Sequence, residues 1–425
     1  MTGTALFALG AVSAALAVNV LRPAHTPPPV AIASFFAGWV VGELALHVVA
    51  VEVLVAAVAV AHGAWRDPFG VAGLALLALS WWLFVRGHAR SAGARDAIDG
   101  AVAEALGPGH RAELAAVPAA VLAPSYRRAS LVVPFRPARP GVRRVGGVVY
   151  GEAGGRPLHL DVLHRPDRAL RAPALVYVHG GAWIIGHRRY QGLALMHPMA
   201  ERGWVCFSVG YRLSPGATFP DHVVDVKKAI AWVRAHAEEW GIDPDFIVLA
   251  GNSAGGHLAA LAALSANDPA LQPGFASADT SVAACAAFYG VYDFTDRHGH
   301  WPHRTLHWLL ESVVMKRRRA DDPAAFERAS PLSRVHPGAP PFLLVHGTHD
   351  SLVPIAESRR FLEALRERSR GASALAEIPG AQHAFEVFPS VRGAHVIDGV
   401  IRWLSVLWAR HRARRGDVSP SSDSA

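Results

Sequence analysis

Cysteine is scarce in this sequence: the 425 residues include only Cys206 and Cys285. Both lie in apolar runs that predict core strands, so we expect two buried apolar side chains and no disulfide. The sequence also has no internal repeat, which excludes a repeat array. The scarcity of cysteine and the absence of repeats leave an ordinary globular core, a membrane segment, or both.

Aromatic residues do not accompany the basic clusters that give the chain its net charge of +8. These clusters lie in the segment 89–141, at Lys316–Arg319 and at Arg410–Arg415. Without interleaved aromatic residues or a nucleic-acid-binding module, they do not predict a nucleic-acid partner. Attraction to the anionic headgroups of membrane lipids is the better explanation.

Charge is nearly absent from the first 88 residues, which contain three long apolar runs at residues 4–21, 30–61 and 70–86. A membrane-spanning helix needs about 20 apolar residues. The second run exceeds this length, so it must tilt, project beyond the membrane or break near Glu43. We therefore expect residues 1–88 to form a multi-pass membrane anchor of about three helices.

Three polar residues, Glu43, His47 and Glu52, interrupt the second apolar run. Ionisable side chains inside a membrane often mark a functional site. Nothing else in the sequence suggests transport, however. We expect Glu43 and His47, one helical turn apart, to pair with each other or with a neighbouring helix, and Glu52 to reach the membrane interface.

Arginine positions predict which side of the membrane the rest of the chain occupies. Three spans place the N-terminus opposite residues 86–425. Arg22 and the residues after Arg86 fall on one side, whereas the other side has only Arg66, offset by Asp67. The positive-inside rule then predicts a cytoplasmic C-terminal region.

A cleavable signal peptide is the alternative, because Ala15–Ala17 resembles a cleavage site. No Lys or Arg precedes the first apolar run, which disfavours this alternative. Cleavage after Ala17 would leave two spans and an outward-facing C-terminal region.

A sharp turn is predicted at Gly251–Gly255, directly after the apolar run Phe246–Ala250. Small residues on both sides of Ser253 permit a strand to turn abruptly into a helix, with the serine hydroxyl exposed at the apex. By itself the pattern is weak, since G-x-S-x-G arises by chance in many chains. Its context makes Ser253 a candidate nucleophile.

A second glycine-rich turn, His179–Trp183, follows the apolar strand Ala174–Val178. Backbone N–H groups at such a turn can stabilise the negative charge that develops on a carbonyl oxygen during acyl transfer. We expect Gly181 and Ala182 to supply two of these donors and Ala254, after the candidate nucleophile, to supply the third.

An acid and a base follow in the order that a serine nucleophile needs. Asp350 comes after the predicted strand 341–347, and His383 after the short strand 374–378. An imidazole must take the proton of the serine, and a carboxylate must hold that imidazole in the right tautomer. The sequence therefore predicts Asp350 and His383 as these partners. The competing candidates are His346 and His349 for the base and Asp225 for the acid.

Apolar strands alternate with helical segments through residues 142–410, which predicts an α/β fold with a mostly parallel sheet covered on both faces. We expect residues 89–141 to form a linker, with a short amphipathic helix possible over 96–106, and residues 411–425 to form a disordered tail. Residues 291–335 interrupt the strand pattern as an insertion.

The insertion at 291–335 has an apolar face that includes Trp301, Trp308 and Leu309–Leu310, with Val313 and Val314. We expect this face to form a lid or the wall of an acyl pocket. The insertion also contains four histidines, at positions 298, 300, 303 and 307. Their spacing matches no zinc motif, so neither a metal nor any other cofactor is expected.

These motifs resemble the α/β-hydrolase superfamily, close to hormone-sensitive-lipase-like esterases. The resemblance covers about residues 142–410 and includes Tyr211–Pro215, Phe219–Asp221, Gly251–His257 and His346–Asp350. The family pattern usually has a third glycine where this chain has Ala182-Trp183. That variant is similar to feruloyl-esterase-like, formamidase-like and prenylcysteine-methylesterase-like members.

The resemblance implies an α/β-hydrolase fold and a Ser253–His383–Asp350 triad that cleaves carboxylic esters through an acyl-enzyme. Small-molecule or lipid esters and membrane lipids are the expected partners. Two alternatives stay open: an amidase or formamidase with the same triad, and a non-catalytic membrane scaffold. The sequence does not predict the acyl and alcohol groups or the oligomeric state.

Overall fold

A single eight-stranded sheet forms the framework of the C-terminal region. The computed structural model describes residues 2–126, 139–301 and 304–416. In spatial order the strands are β1-β2-β4-β3-β5-β6-β7-β8. The first two pairings, β1 with β2 and β2 with β4, are antiparallel, and the rest are parallel. The strand bounds are β1 Arg143–Ala153, β2 Arg156–His164, β3 Ala172–Val178, β4 Val205–Val209, β5 Ile242–Asn252, β6 Ala284–Phe288, β7 Phe342–Gly347 and β8 Ala374–Ile378.

Helices cover both faces of this sheet, as the alternating sequence pattern predicts. Residues of β3, β4, β6 and β7 are all buried, because parallel strands lose both faces to helices. The helices from the sheet region onward are α8 Leu193–Glu201, α9 Asp221–Ala235, α10 Ala237–Trp240, α11 Ala254–Leu264, α12 Thr305–Leu309, α13 Pro323–Ala329, α14 Ala356–Arg368 and α15 Val391–Arg414. The α/β-hydrolase fold class is confirmed.

Two hydrophobic cores lie on opposite faces of the sheet. One contains side chains of α9, α11 and α14, such as Ile230, Leu258 and Phe361. The other contains side chains of α8 and α15, such as Met199 and Trp403. Both cysteines are free and fully buried in these cores, as expected from the sequence.

The region expected to be a linker is partly helical and packs into the domain. It contains α5 Gly93–Leu106, α6 His110–Ala116 and α7 Ala119–Leu122. Ile98 and Val102 of α5 are buried in the core that contains α15. The amphipathic spacing of 96–106 therefore reflects burial against the sheet. Residues 127–138, which include most of the predicted extended segment, lie outside the described residues.

The C-terminal helix extends into the segment 411–425 that was expected to be a disordered tail. α15 continues to Arg414, four residues into the predicted tail 411–425, and His411 lies 3.3 Å from Asp243 Oδ2. Residues 417–425 lie outside the described residues.

Four apolar helices precede the sheet region: α1 Gly3–Leu21, α2 Pro28–Glu43, α3 Ala45–Ala61 and α4 Pro68–Ala89. By length and composition α1 and α4 could each cross a membrane, and α2 with α3 could form a third, broken span. The second apolar run breaks at Leu44, where α2 and α3 meet at an angle of 83°. This run was expected to tilt, to project beyond the membrane or to break near Glu43, and the structure shows the break.

The helices α1 and α4 lie side by side and run in the same direction. A Cβ on Gly10 would lie 2.6 Å from the carbonyl oxygen of Gly73, and a Cβ on Gly87 would lie 3.5 Å from Leu21. α3 runs the opposite way, because its first residue, Ala45, packs with Ala17 and Phe84 near the C-terminal ends of α1 and α4. α1, α3 and α4 therefore form one bundle, and α2 packs at the end of it, where Val41 contacts the cluster of Ala17, Ala45 and Phe84.

Two pairings were expected for Glu43, one with His47 and one with a neighbouring helix, and the structure shows the second. Glu43 forms a buried ion pair with Arg392 and accepts a hydrogen bond of 2.6 Å from Ser390 Oγ, both at the start of α15. Glu52 is buried and accepts a 2.9 Å hydrogen bond from the indole of Trp81. The interruption at Glu43 thus ties the N-terminal helices to the sheet domain.

Candidate active site

Ser253 occupies the turn between β5 and α11, at the C-terminal edge of the parallel strands. Its backbone is in a strained region, with φ +54° and ψ −121°. The turn requires small neighbours, because a Cβ on Gly251 would lie 2.3 Å from the carbonyl oxygen of Gly255 and a Cβ on Gly255 would lie 2.1 Å from that of Val178. Tight packing of this kind can hold a serine in a conformation that it otherwise avoids.

The three residues predicted as a triad lie in one hydrogen-bonded line. His383 Nε2 is 2.9 Å from Ser253 Oγ, and His383 Nδ1 is 2.6 Å from Asp350 Oδ2. Asp350 follows β7 and His383 follows β8, so adjacent strands bring them to the same edge as the serine. The arrangement allows the imidazole to accept the hydroxyl proton while the carboxylate fixes its orientation.

Asp350 is buried and held as a carboxylate. Its Oδ1 accepts hydrogen bonds of 2.9 Å and 2.8 Å from the backbone N–H groups of Leu352 and Val353. Burial opposes ionisation, but the charge of His383 and the hydrogen bonds from His346 and His383 outweigh it, so the pKa of Asp350 lies well below its usual range. A charged carboxylate is the form that stabilises an imidazolium beside it.

His346 was a competitor for the base, and the structure gives it another place. It lies within β7, fully buried, with Nε2 3.1 Å from Asp350 Oδ2 and Nδ1 2.7 Å from Ser358 Oγ. It therefore contacts the acid and not the serine. The sequence signal for this contact is its spacing of four residues from Asp350 across the end of the strand.

The other two competitors lie elsewhere. His349 Nδ1 is 3.3 Å from the carbonyl oxygen of Val20 in α1. Asp225, within α9, forms a buried ion pair with Arg212 at 2.8 Å. Neither side chain is bonded to Ser253 or His383 in the described part of the chain.

The turn at His179–Trp183 lies beside the serine and has an unusual backbone. The φ angles of Gly181, Ala182 and Trp183 are +125°, +53° and +61°. The N–H of Gly180 donates to Asn252 Oδ1 and Gln191 Oε1, both at 2.8 Å. Among the described residues, the N–H groups of Gly181 and Ala182 have no such acceptor.

Ala254 opens α11, so its N–H has no partner within the helix. Together with Gly181 and Ala182 it forms the set of donors predicted for an oxyanion. Ala182 and Trp183 stand where the family pattern has a third glycine. The buried indole of Trp183 donates a 3.1 Å hydrogen bond to His257 Nδ1, which anchors this turn to α11.

A buried polar network behind the triad was not predicted. The Tyr289 ring centroid lies 4.5 Å from that of His383, and its hydroxyl donates to Glu386. Asn252 Nδ2 donates to the same hydroxyl at 3.2 Å. Burial raises the pKa of Glu386 to about 7. The network joins the loop after β8 to the residue before the serine.

The N-terminal helix α2 also contacts the catalytic loops directly. The Phe35 ring meets the His383 imidazole edge to face, with centroids 6.0 Å apart. Trp39 Nε1 donates a 2.8 Å hydrogen bond to the carbonyl oxygen of Ala384, and Ser351 Oγ donates one of 3.2 Å to that of Ala31. No local pattern in the sequence indicates these contacts, because most of α2 falls within the long apolar run 30–61 and its sequence has no feature that predicts a contact with the sheet domain.

The insertion between β6 and β7 differs in part from its expected role as an apolar wall. Trp301 is buried and donates a 3.0 Å hydrogen bond to Glu357 of α14, while Leu310 and Val314 pack into the core. Trp308 is 60% exposed. Of this apolar set, Trp308 is exposed and Leu309 and Val313 are half-buried, so these three side chains are the ones that a ligand could contact.

The histidines of the insertion form no metal site within the described residues. His307 lies 3.3 Å from Asp296 Oδ2, and His298 lies 3.2 Å from the Arg360 guanidinium. His303 lies outside the described residues.

Comparison with known proteins finds similarity to esterases. The family model BD-FAE matches residues 160–365. Esterase LipQ of Mycobacterium tuberculosis is 50% identical over 64% of this chain and 65% of its own length. LipM, a probable carboxylic ester hydrolase of that organism, is 47% identical over 63% of this chain and 62% of its own. The chain thus spans just under two thirds of these relatives.

The solved structures include the butyrate-bound thermophilic esterase Est2 of Thermogutta terrifontis. It is 28% identical, with a TM-score of 0.51, and the match covers 67% of this chain and 97% of Est2. The similarity thus extends over nearly a whole esterase. This chain has the α/β-hydrolase fold and is similar in sequence to carboxylesterases.

Proposed function

We propose that this protein is a membrane-anchored serine hydrolase that cleaves carboxylic esters of small molecules or lipids. The observation that carries the proposal is the line from Ser253 through His383 to Asp350, with contacts of 2.9 Å and 2.6 Å at a strained strand-to-helix turn. A structural serine needs neither the strain nor the aligned imidazole.

The proposed reaction has two halves. Ser253 Oγ attacks the ester carbonyl while His383 takes its proton, and the oxyanion accepts hydrogen bonds from the N–H groups of Gly181, Ala182 and Ala254. The protonated His383 then gives its proton to the departing alcohol, leaving an acyl-enzyme. Water, deprotonated by His383, releases the acid and restores the serine.

The membrane part of the proposal rests on the apolar bundle. α1 and α4 have 19 and 22 residues, and α3 has 17, which is about 26 Å of helix. These lengths are near the thickness of a hydrocarbon core. Three passes put the N-terminus opposite the sheet domain, and Arg22 and Arg86 at the domain's end favour a cytoplasmic domain. Protease added to intact cells should spare the domain unless the cells are lysed.

Hydrolysis of matched p-nitrophenyl butyrate and butyryl p-nitroanilide by the full chain in detergent tests the reaction class. The proposal predicts turnover of the ester at least about 100-fold faster than the anilide, and loss of both in Ser253→Ala. A preference for the anilide would favour the amidase alternative. Equal rates in wild type and Ser253→Ala would favour the scaffold.

A further inference from the structure

The helix α2 forms one wall of the candidate site. Its inward residues Ala31, Phe35 and Trp39 meet the loops after β7 and β8, which contain the acid and the base. At its end, Glu43 forms the buried ion pair with Arg392. These contacts run along the length of α2, so the helix is fixed to the catalytic loops and not merely adjacent to them.

The outward face of α2 is apolar and uncovered. Val30, Ile32 and Phe36 are 45%, 38% and 62% exposed, and Pro29 and Ala33 lie on the same side. No charged residue occurs between Pro28 and Gly42. A helix that faces water on one side normally carries polar residues there, so this face is suited to an apolar environment.

The position of α2 relative to the apolar bundle identifies that environment. α2 follows the C-terminal end of α1 and turns by 83° into α3. Ser34 of α2 is hydrogen-bonded to Asn19 near the end of α1. If α1, α3 and α4 cross a bilayer, α2 lies along its surface, between the lipid and the triad. The apolar face is then continuous with the lipid-facing surfaces of the spans.

We propose that α2 is a membrane-surface helix that lines the route from the bilayer to the active site, and that the substrate is an amphipathic ester whose hydrocarbon chain stays in the lipid. This rests on the proposed ester hydrolysis. The carbonyl of the substrate must reach Ser253, which lies beside His383. The Phe35 ring contacts His383, so it provides an apolar surface next to the reacting groups. An acyl chain passing along α2 remains in apolar surroundings and avoids the cost of entering water.

Lipid quenching tests the position of α2 without any need for hydrolysis. Both native cysteines are fully buried, so Phe36→Cys supplies one accessible thiol for a bimane label. Leu170→Cys is the control, because Leu170 is 87% exposed at the opposite end of the strands, before β3. In phosphatidylcholine–phosphatidylglycerol vesicles, brominated acyl chains should quench the label at position 36 at least threefold more than at 170. Equal quenching would overturn the proposal.

Kinetics in the same vesicles test the substrate route. Phe36→Asn should lower kcat/KM for 4-methylumbelliferyl palmitate in the bilayer by about fivefold or more, and change hydrolysis of soluble p-nitrophenyl butyrate by less than twofold. Leu170→Asn should change neither. Equal effects of Phe36→Asn on both esters, or none on either, would refute the route while ester hydrolysis stands. Failure of the wild type to cleave either ester would instead refute the proposed function.

Discussion

Replacing Asp350 with asparagine should abolish turnover by reversing one hydrogen bond. Oδ1 of Asp350 accepts two backbone N–H groups, from Leu352 and Val353, so the carbonyl oxygen of an asparagine would take that place. Its NH₂ group would then face His383 Nδ1, where Oδ2 now lies at 2.6 Å. A donor there forces the proton of the imidazole onto Nε2, which can no longer accept the proton of Ser253.

The expected loss in kcat is about 10⁴-fold, or about 5.5 kcal/mol of barrier, with little change in KM. Initial rates on p-nitrophenyl butyrate, with the full chain in detergent, measure it. Asp225→Asn is the matched control, because Asp225 is also a buried carboxylate but pairs with Arg212. It should keep activity within about tenfold of wild type. More than one tenth of wild-type turnover in Asp350→Asn would refute the hydrogen-bond argument.

Three further predictions concern the oxyanion turn, the ion pair at α2 and the buried carboxyl. Gly181→Val should lower kcat by about 10²–10³ without unfolding the chain, because φ of +125° excludes a branched residue from the donor position; unchanged kcat would exclude Gly181 as a donor. Arg392→Met should lower stability by about 3–5 kcal/mol in urea, since Glu43 stays buried without its cation, whereas Arg360→Met at an exposed pair should cost under about 1 kcal/mol. Since burial raises the pKa of Glu386 from 4.5 to about 7, its stabilising effect is complete below pH 4.5 and is lost as pH rises through 7. Glu386→Gln should therefore show a smaller fall in Tm over this pH interval, and an identical pH dependence would contradict the argument.

The sheet and the alignment of Ser253, His383 and Asp350 were predictable because their sequence signals are local. Apolar strands such as Ala174–Val178 precede turns in which a glycine is needed because a Cβ would clash with the backbone. The order of serine, acid and base along the chain follows from the order of the strands. Asp350 and His383 are separated by 33 residues, but adjacent strands bring their loops together. The motifs and the strand pattern are therefore sufficient to predict that these two loops lie together.

The contacts of α2 were not predictable because their partners are remote. Glu43 and Arg392 are 349 residues apart. In addition, an apolar sequence that packs against protein has the same composition as one that packs against lipid, so the sequence does not distinguish the two. The same holds for α5, where the apolar spacing around Ile98 indicates a helix but not the core that buries it. Burial partners of this kind depend on the assembled fold.

Covalent labelling is the direct test of Ser253 as the nucleophile. The purified full-length chain is treated with a fluorophosphonate probe, and the modified residue is mapped by peptide mass spectrometry. We expect one probe per chain on Ser253, with labelling slowed at least about 100-fold in His383→Ala and absent in Ser253→Ala. Labelling at another residue, or none in the folded wild-type chain, would contradict this assignment.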